Sequence, residues 1–248
     1  MTQTAAILII GNEILSGRTQ DVNIQYLAKR LGEIGIQLAQ ARVIPDEESV
    51  IISNVQELAA THSYVFTTGG IGFTHDDRTA VSLAKAFGVK LEENPRALEL
   101  LRDYYGEALN EARRRMALIP MGATLIANPI SKAPGFQIQN VFVLVGVPSV
   151  MQAMFDSLVG RLVGGAPILF SAVSCNLPEG VLADDLALLQ DQHPEVDIGS
   201  YPYFKCGVLG VSLVMRGIDA EAISNATRDV VEMVKNLGGD SIIERQEV

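Results

Sequence analysis

Several things are scarce in this sequence, and each scarcity removes a class of function. There are two cysteines in 248 residues, Cys175 and Cys206. That is neither the density of a secreted disulfide scaffold nor the paired spacing of a zinc site, so both are expected to be reduced and buried. Three histidines are too few for a dedicated soft-metal centre. No serine, histidine and acid fall at a spacing that argues for a nucleophilic triad. Bases are in deficit, 19 Lys and Arg against 29 Asp and Glu, for a net charge of −10. Such a chain offers no broad footprint for nucleic acid or an anionic membrane, which points to a small partner rather than a polymer. Long apolar runs are also missing. The run at 5–10 stops at Gly11, too short for the core of a signal peptide, and no later segment approaches the roughly 20 apolar residues of a membrane span. No internal repeat or low-complexity tract appears. A soluble cytoplasmic protein is the expectation.

What the chain has instead is core material and glycine punctuation. It is 48% hydrophobic, and a chain of this length buries roughly 70 to 75% of its unfolded surface, enough to stand without disulfides or structural metals. Residues 5–10 form a continuous apolar run of strand length, 36–44 partly alternates with β-branched ends, and 64–70 is a short run closed by glycines. Between them Ile24, Leu27, Ala28, Leu31 and Ile34 recur at helical steps after the cap candidate Asn23. Val50, Ile51, Val55, Leu58 and Ala59 do the same after Ser49. Strands apolar throughout, alternating with helices, imply an α/β fold with a doubly wound, mostly parallel sheet. Further helices are expected over 79–87, over a longer segment opened by Asn94 and Pro95 with a stripe running to Ala112, and over 150–162. Strands are expected near 124–126 and 141–145. The glycines and proline of 164–167 read as a hinge between a first domain, 1–164, and a small α+β domain, 168–248, with helices on one face of its sheet.

The segment 67–79, between a buried strand and a helix start, carries the most chemistry. In open α/β sheets ligands bind beyond the carboxyl ends of strands, where glycines let backbone N–H groups approach an anion and a helix N-terminus adds favourable partial charge. Gly69, Gly70 and Gly72, with Thr68, Thr74 and Thr79 around them, suit phosphate contact, or else a tight turn needing positive φ. Asp76 and Asp77 are adjacent, so their carboxylates diverge. One can cap the helix while the other holds a divalent cation, or both serve as helix-start acids. Glu13, in the glycine-bearing turn after the first strand, lies on the same edge and is a candidate third acid. Lys132, between two prolines, can counter phosphate charge or be simply solvated. Gly146 and Ser149, at the next strand-to-helix turn, give the crevice a fourth wall. Arg113, Arg114 and Arg115 are nearly neutralised by Glu99, Asp103, Glu107 and Glu111, so a solvated helix face is expected there.

These residues resemble the molybdopterin-binding, MoaB/Mog-like domain, in the version found at the N-terminus of CinA-type competence/damage-inducible proteins. The similarity is carried by Gly11-Asn12-Glu13-Ile14, by the threonine-glycine-glycine loop running from Thr68 through Asp76 and Asp77 to Thr79, by IPMGATLIANP and APGF within 117–136, and by GVPS at 146–149 with Met151, Met154 and Phe155 behind it. Together these motifs span about residues 5 to 156. The second domain resembles the small KH-like or ferredoxin-like module of the same proteins, mainly through Ser200-Tyr201-Pro202-Tyr203-Phe204. No part of these residues resembles the amidohydrolase domain of full-length CinA proteins, so deamidation of nicotinamide mononucleotide is not expected. Two positions depart from the pattern: Phe73 where proline is usual, and Val150 where an acid often follows GVPS. Phe73 is similar to the Mog branch, which keeps a single aspartate at the position of Asp77.

For the CinA-type branch the resemblance implies metal-dependent cleavage of the pyrophosphate in ADP-ribose or a related adenine dinucleotide. Asp76, Asp77 and Glu13 would hold Mg²⁺, Mn²⁺ or Co²⁺, and Asp77 and Asp76 would be catalytic. The Mog branch implies molybdopterin as ligand, with adenylyl transfer or metal insertion. A non-catalytic ligand-binding protein is the third expectation. The family commonly assembles into homo-oligomers.

Overall fold

The computed structural model describes residues 3–205 and 207–247. The chain divides into two units between Gly165 and Ala166. The first contains β1 (Gln3–Ile10), α1 (Asn12–Leu15), α2 (Asn23–Glu33), β2 (Ile36–Ile44), α3 (Glu48–Thr61), β3 (Tyr64–Thr68), α4 (Thr79–Ala86), β4 (Leu91–Glu93), α5 (Pro95–Tyr105), α6 (Glu111–Arg114), β5 (Leu118–Pro120), β6 (Thr124–Ile126), β7 (Gly135–Ile138), β8 (Val141–Leu144) and α7 (Pro148–Leu158). Its main sheet runs β2-β1-β3-β8-β7-β6, with the first four strands parallel and β7 and β6 added antiparallel. β4 and β5 form a separate two-stranded ribbon.

The apolar run of β1 is explained by the two cores it serves. Ala6, Leu8 and Ile10 point into one layer, with Ile51, Val55 and Leu58 of α3 and Leu83 of α4. Ala5, Ile7 and Ile9 point into the other, with Leu27 and Leu31 of α2 and Met151, Met154 and Phe155 of α7. A strand covered on both faces cannot alternate in polarity. Val150, where an acid often follows GVPS, joins the second layer.

The second unit runs β9 (Leu169–Cys175), α8 (Glu179–Gln192), β10 (Asp197–Lys205), β11 (Val208–Gly217), α9 (Ala220–Asn236) and β12 (Ser241–Glu247). The order β10-β11-β9-β12, antiparallel throughout, is the ferredoxin-like βαββαβ arrangement. Val173, Val211, Leu213 and Met215 meet Leu182 of α8 and Ile223, Val230 and Val234 of α9 in its core. Cys175 is buried and, among the described residues, unpaired; Cys206 lies outside the described residues. Among the described residues no helix is long and apolar enough to cross a membrane.

Several local expectations need correction. Asn23 does not cap α2: Asp21 Oδ1 accepts from Ile24 N at 2.9 Å, while the buried Asn23 amide donates to Gly146 O at 2.9 Å. Ser49 lies inside the first turn of α3, whose cap position is Glu47. The long helix after Asn94 stops at Tyr105, because Gly106 turns the chain with φ +52° and Asn110 then caps the short α6. Strands β4, β5, β7 and β12 were not expected, β4 and β5 being three residues long. β7 is four residues long, and β12 is a charged edge strand, so neither has a clean period.

Candidate functional site

The crevice forms where strand order reverses. From β1 the chain crosses to β2 on one side and returns to β3 on the other, so the carboxyl ends of β1 and β3 open a gap between diverging connections. Ile9 pairs with Thr68 and Thr68 with Leu144, which sets the turns at Gly11, Gly69 and Gly146 side by side. Gly69 N donates to Leu144 O at 3.3 Å, and Gly11 N donates to Ile44 O at 3.1 Å.

The β3–α4 loop is fixed from both ends. Gly69 has φ +98° and Gly70 φ +63°, and a side chain on Gly70 would come within 2.4 Å of Thr79 Oγ1. Buried Thr79 donates its hydroxyl to Gly69 O and its N–H to Gly70 O, each at 3.0 Å. Asp77 then shapes the crest: Oδ1 accepts from Gly72 N at 2.7 Å, and Oδ2 accepts from Thr74 N at 2.7 Å and Thr74 Oγ1 at 2.5 Å. The N–H groups of Gly72 and Thr74, and the Thr74 hydroxyl, are therefore spent on Asp77. Those of Gly70, Ile71 and Phe73 make no hydrogen bond among the described residues. At the end of β3 the hydroxyls of Thr67 and Thr68 are buried, without a partner among the described residues.

Beside the crest lies an open cleft of about 530 Å³ lined by Asn12, Asp46, Glu47, Glu48, Ser49, His75, Asp76 and Arg78. Asp46, at the carboxyl end of β2, accepts Asn12 N on Oδ2 at 2.9 Å. Asp46, Asn12 and Arg78 are contributors that the sequence reading passed over. The signal for Asp46 was present, since it follows β2 on the same edge as the other two loops. Asp76 is held below the ordinary carboxylate value, first by the neighbouring Thr74 side chain, whose proton lies on Asp77, and then by its own backbone N–H, so its charge persists as pH falls. His75 is fully solvated, with Nδ1 3.9 Å from Asp76 Oδ1.

The other expected residues are less convergent. Glu13 folds its carboxylate back over Gly11. Gly146 abuts Gly69, while Ser149 is exposed in the first turn of α7. Lys132 is exposed, with φ +60°, on a loop organised by buried Asn128, and lines neither this cleft nor the cavity behind the crest. Among the described residues no three of His, Cys, Asp and Glu converge as a metal cluster. The arginine triplet also separates: Arg113 lies over the Tyr105 ring at 4.6 Å, Arg114 pairs with Glu93, and Arg115 reaches the cavity behind the crest.

Residues 6–164 match the family model described as a probable molybdopterin binding domain, and the chain belongs to that family. Residues 167–239 match the middle domain of FAD synthase. A protein of Archaeoglobus fulgidus is 33% identical over 230 residues, 93% of this chain and 97% of that protein. A probable FAD synthase of Caenorhabditis elegans is 30% identical over 259 residues, 94% of this chain but 50% of that protein. Among solved structures, CinA of Thermoplasma acidophilum, described as of unknown function, superposes with a TM-score of 0.62 at 32% identity, covering 64% of this chain and 98% of that one.

Proposed function

We propose that the protein binds an adenine dinucleotide over the β3–α4 crest and hydrolyses its pyrophosphate bond with a divalent cation. The observation that carries this reading is the pairing of three unspent N–H donors, at Gly70, Ile71 and Phe73, with an acidic cleft formed partly by the same loop. The donors and the start of α4 suit phosphate charge. Asp46 and Asp76 supply hard oxygen donors of the kind that Mg²⁺, Mn²⁺ or Co²⁺ takes, completed by water and phosphate oxygens. When bound, such a cation neutralises phosphate charge and acidifies water. Arg78, at the rim of the same cleft, adds positive charge beside the crest. Asp77 acts by keeping the crest in shape rather than by touching the ligand.

The test is incubation with ADP-ribose and each of the three cations, following AMP and ribose 5-phosphate. FAD is the second substrate to try, because the second unit matches the FAD synthase middle domain. Turnover is expected with at least one cation, falling about 100-fold in Asp76→Asn. Absence of turnover of both dinucleotides with every cation would reject the hydrolase. Asp77→Asn replaces an acceptor oxygen by a donor facing N–H or O–H groups, so affinity for ADP-ribose should weaken by about tenfold or more. Calorimetric titration measures it, and unchanged affinity would remove the crest-shaping role.

The family match favours one second reading, a phosphorylated pterin at the same crest. Direct retention of molybdopterin, with no turnover of either dinucleotide, would select it.

A further inference from the structure

The crest divides its residues between two spaces. His75, Asp76 and Arg78 border the acidic cleft, whereas Gly70, Ile71, Gly72, Phe73, Thr74 and Asp77 wall a separate cavity of about 210 Å³. Its remaining walls are mostly apolar, including Val81 of α4, Leu91 of β4, Met116, Leu118 of β5 and Phe136 of β7. Asp77 and Thr74 are already bonded to each other, so they offer the cavity little unspent polarity. Arg115 brings the one charged group on the walls without a partner among the described residues. Phe73, 42% exposed, forms part of the wall from the crest itself.

This space is smaller than the roughly 300 to 1,000 Å³ of a complete small-molecule site. It suits one ring system, and it borders the free N–H donors where phosphate is placed. We propose that it is the base subsite: it seats the purine of the nucleotide whose phosphates lie on the crest, with Phe73 and Met116 as ring contacts and Arg115 at the rim. The acidic cleft takes the other half of the ligand, so the pyrophosphate spans the crest between the two spaces. The inference rests on phosphate binding at the crest. Apolar walls read the presence and shape of a ring rather than its exocyclic groups. Adenine and guanine should therefore be held nearly alike.

Affinities of AMP, GMP, ribose 5-phosphate and adenosine for the full chain test this. AMP and GMP should bind within a few-fold of each other, and both about tenfold or more tighter than ribose 5-phosphate. Phe73→Ala, on the exposed crest, and Met116→Glu, which brings a carboxylate to the walls, should each collapse that advantage. Equal affinity for AMP and ribose 5-phosphate in the unaltered protein overturns the base subsite and leaves the phosphate crest standing. So does an advantage that survives both substitutions. If neither phosphate ligand binds, the crest reading fails, and adenosine decides the cavity separately: binding that is lost in Met116→Glu upholds it, and no binding overturns it.

Discussion

Gly69→Ala is expected to destabilise the first unit by about 3 kcal/mol and to abolish binding of phosphate ligands. Two costs coincide at this position. The backbone sits at φ +98°, and an added Cβ would lie 2.1 Å from the carbonyl oxygen of Ile10. Neither side can yield cheaply. Ile10 is buried and paired with Ile44 of β2, and Gly69 N is bound to Leu144 O. Relief would have to come from moving β3 away from β1, which opens the crevice and misplaces the donors of the crest. Gly17 is the control, because its φ is +71° but its Cβ would meet nothing within 4 Å. Gly17→Ala should cost only about 1 kcal/mol. Urea unfolding of both variants separates clash from backbone strain, and equal losses would show that the approach to Ile10 is not limiting.

Phe66→Ala should cost the first unit about 3 to 5 kcal/mol. Phe66 is fully buried at the centre of β3, with its ring centroid 5.2 Å from Phe142, 5.4 Å from Phe155 and 6.5 Å from Tyr64. Truncation removes the shared member of three aromatic contacts and leaves a void that backbone held by parallel neighbours on both sides cannot close. Against a total stability of about 5 to 15 kcal/mol this is a large fraction. The second unit has its own core, with no residue in common, so its unfolding transition should not move. Phe66→Leu should recover about half of the loss, and a deficit below about 1 kcal/mol for the alanine variant would contradict the packing described.

The layered architecture was legible because it is written in composition. β1 needed two apolar faces, and a parallel strand between two helical layers buries both. The glycines of the crest were legible for a similar reason, since their spacing after a strand has few structural uses. Less visible was how the polar groups would share one another. Asp77 looked like a ligand from its neighbours in sequence, yet three of its hydrogen bonds come from residues three to five positions earlier in the loop. Asn23 had the residue type and position of a cap, but its amide reaches a carbonyl 123 positions away. Asp46 belongs with the crest through the parallel pairing of β2 and β1, which puts the residues after β2 on the same sheet edge. The apolar cavity is assembled from the crest, α4, β4, Arg115 and Met116, β5 and β7, segments far apart in the chain.

The position of Phe66 has a consequence for the order in which the first unit can be completed. β3 emerges early in synthesis, but the rings that pack against Phe66 from beyond it, Phe142 and Phe155, are the work of β8 and α7, about 75 to 90 residues later. Until those elements leave the ribosome, at about 5 to 20 residues per second, β3 has β1 beside it and an unpaired edge on its other flank. On that schedule β3 waits about 4 to 18 seconds with an unpaired edge, and the parallel pairing that finally covers it also brings Gly146 against Gly69.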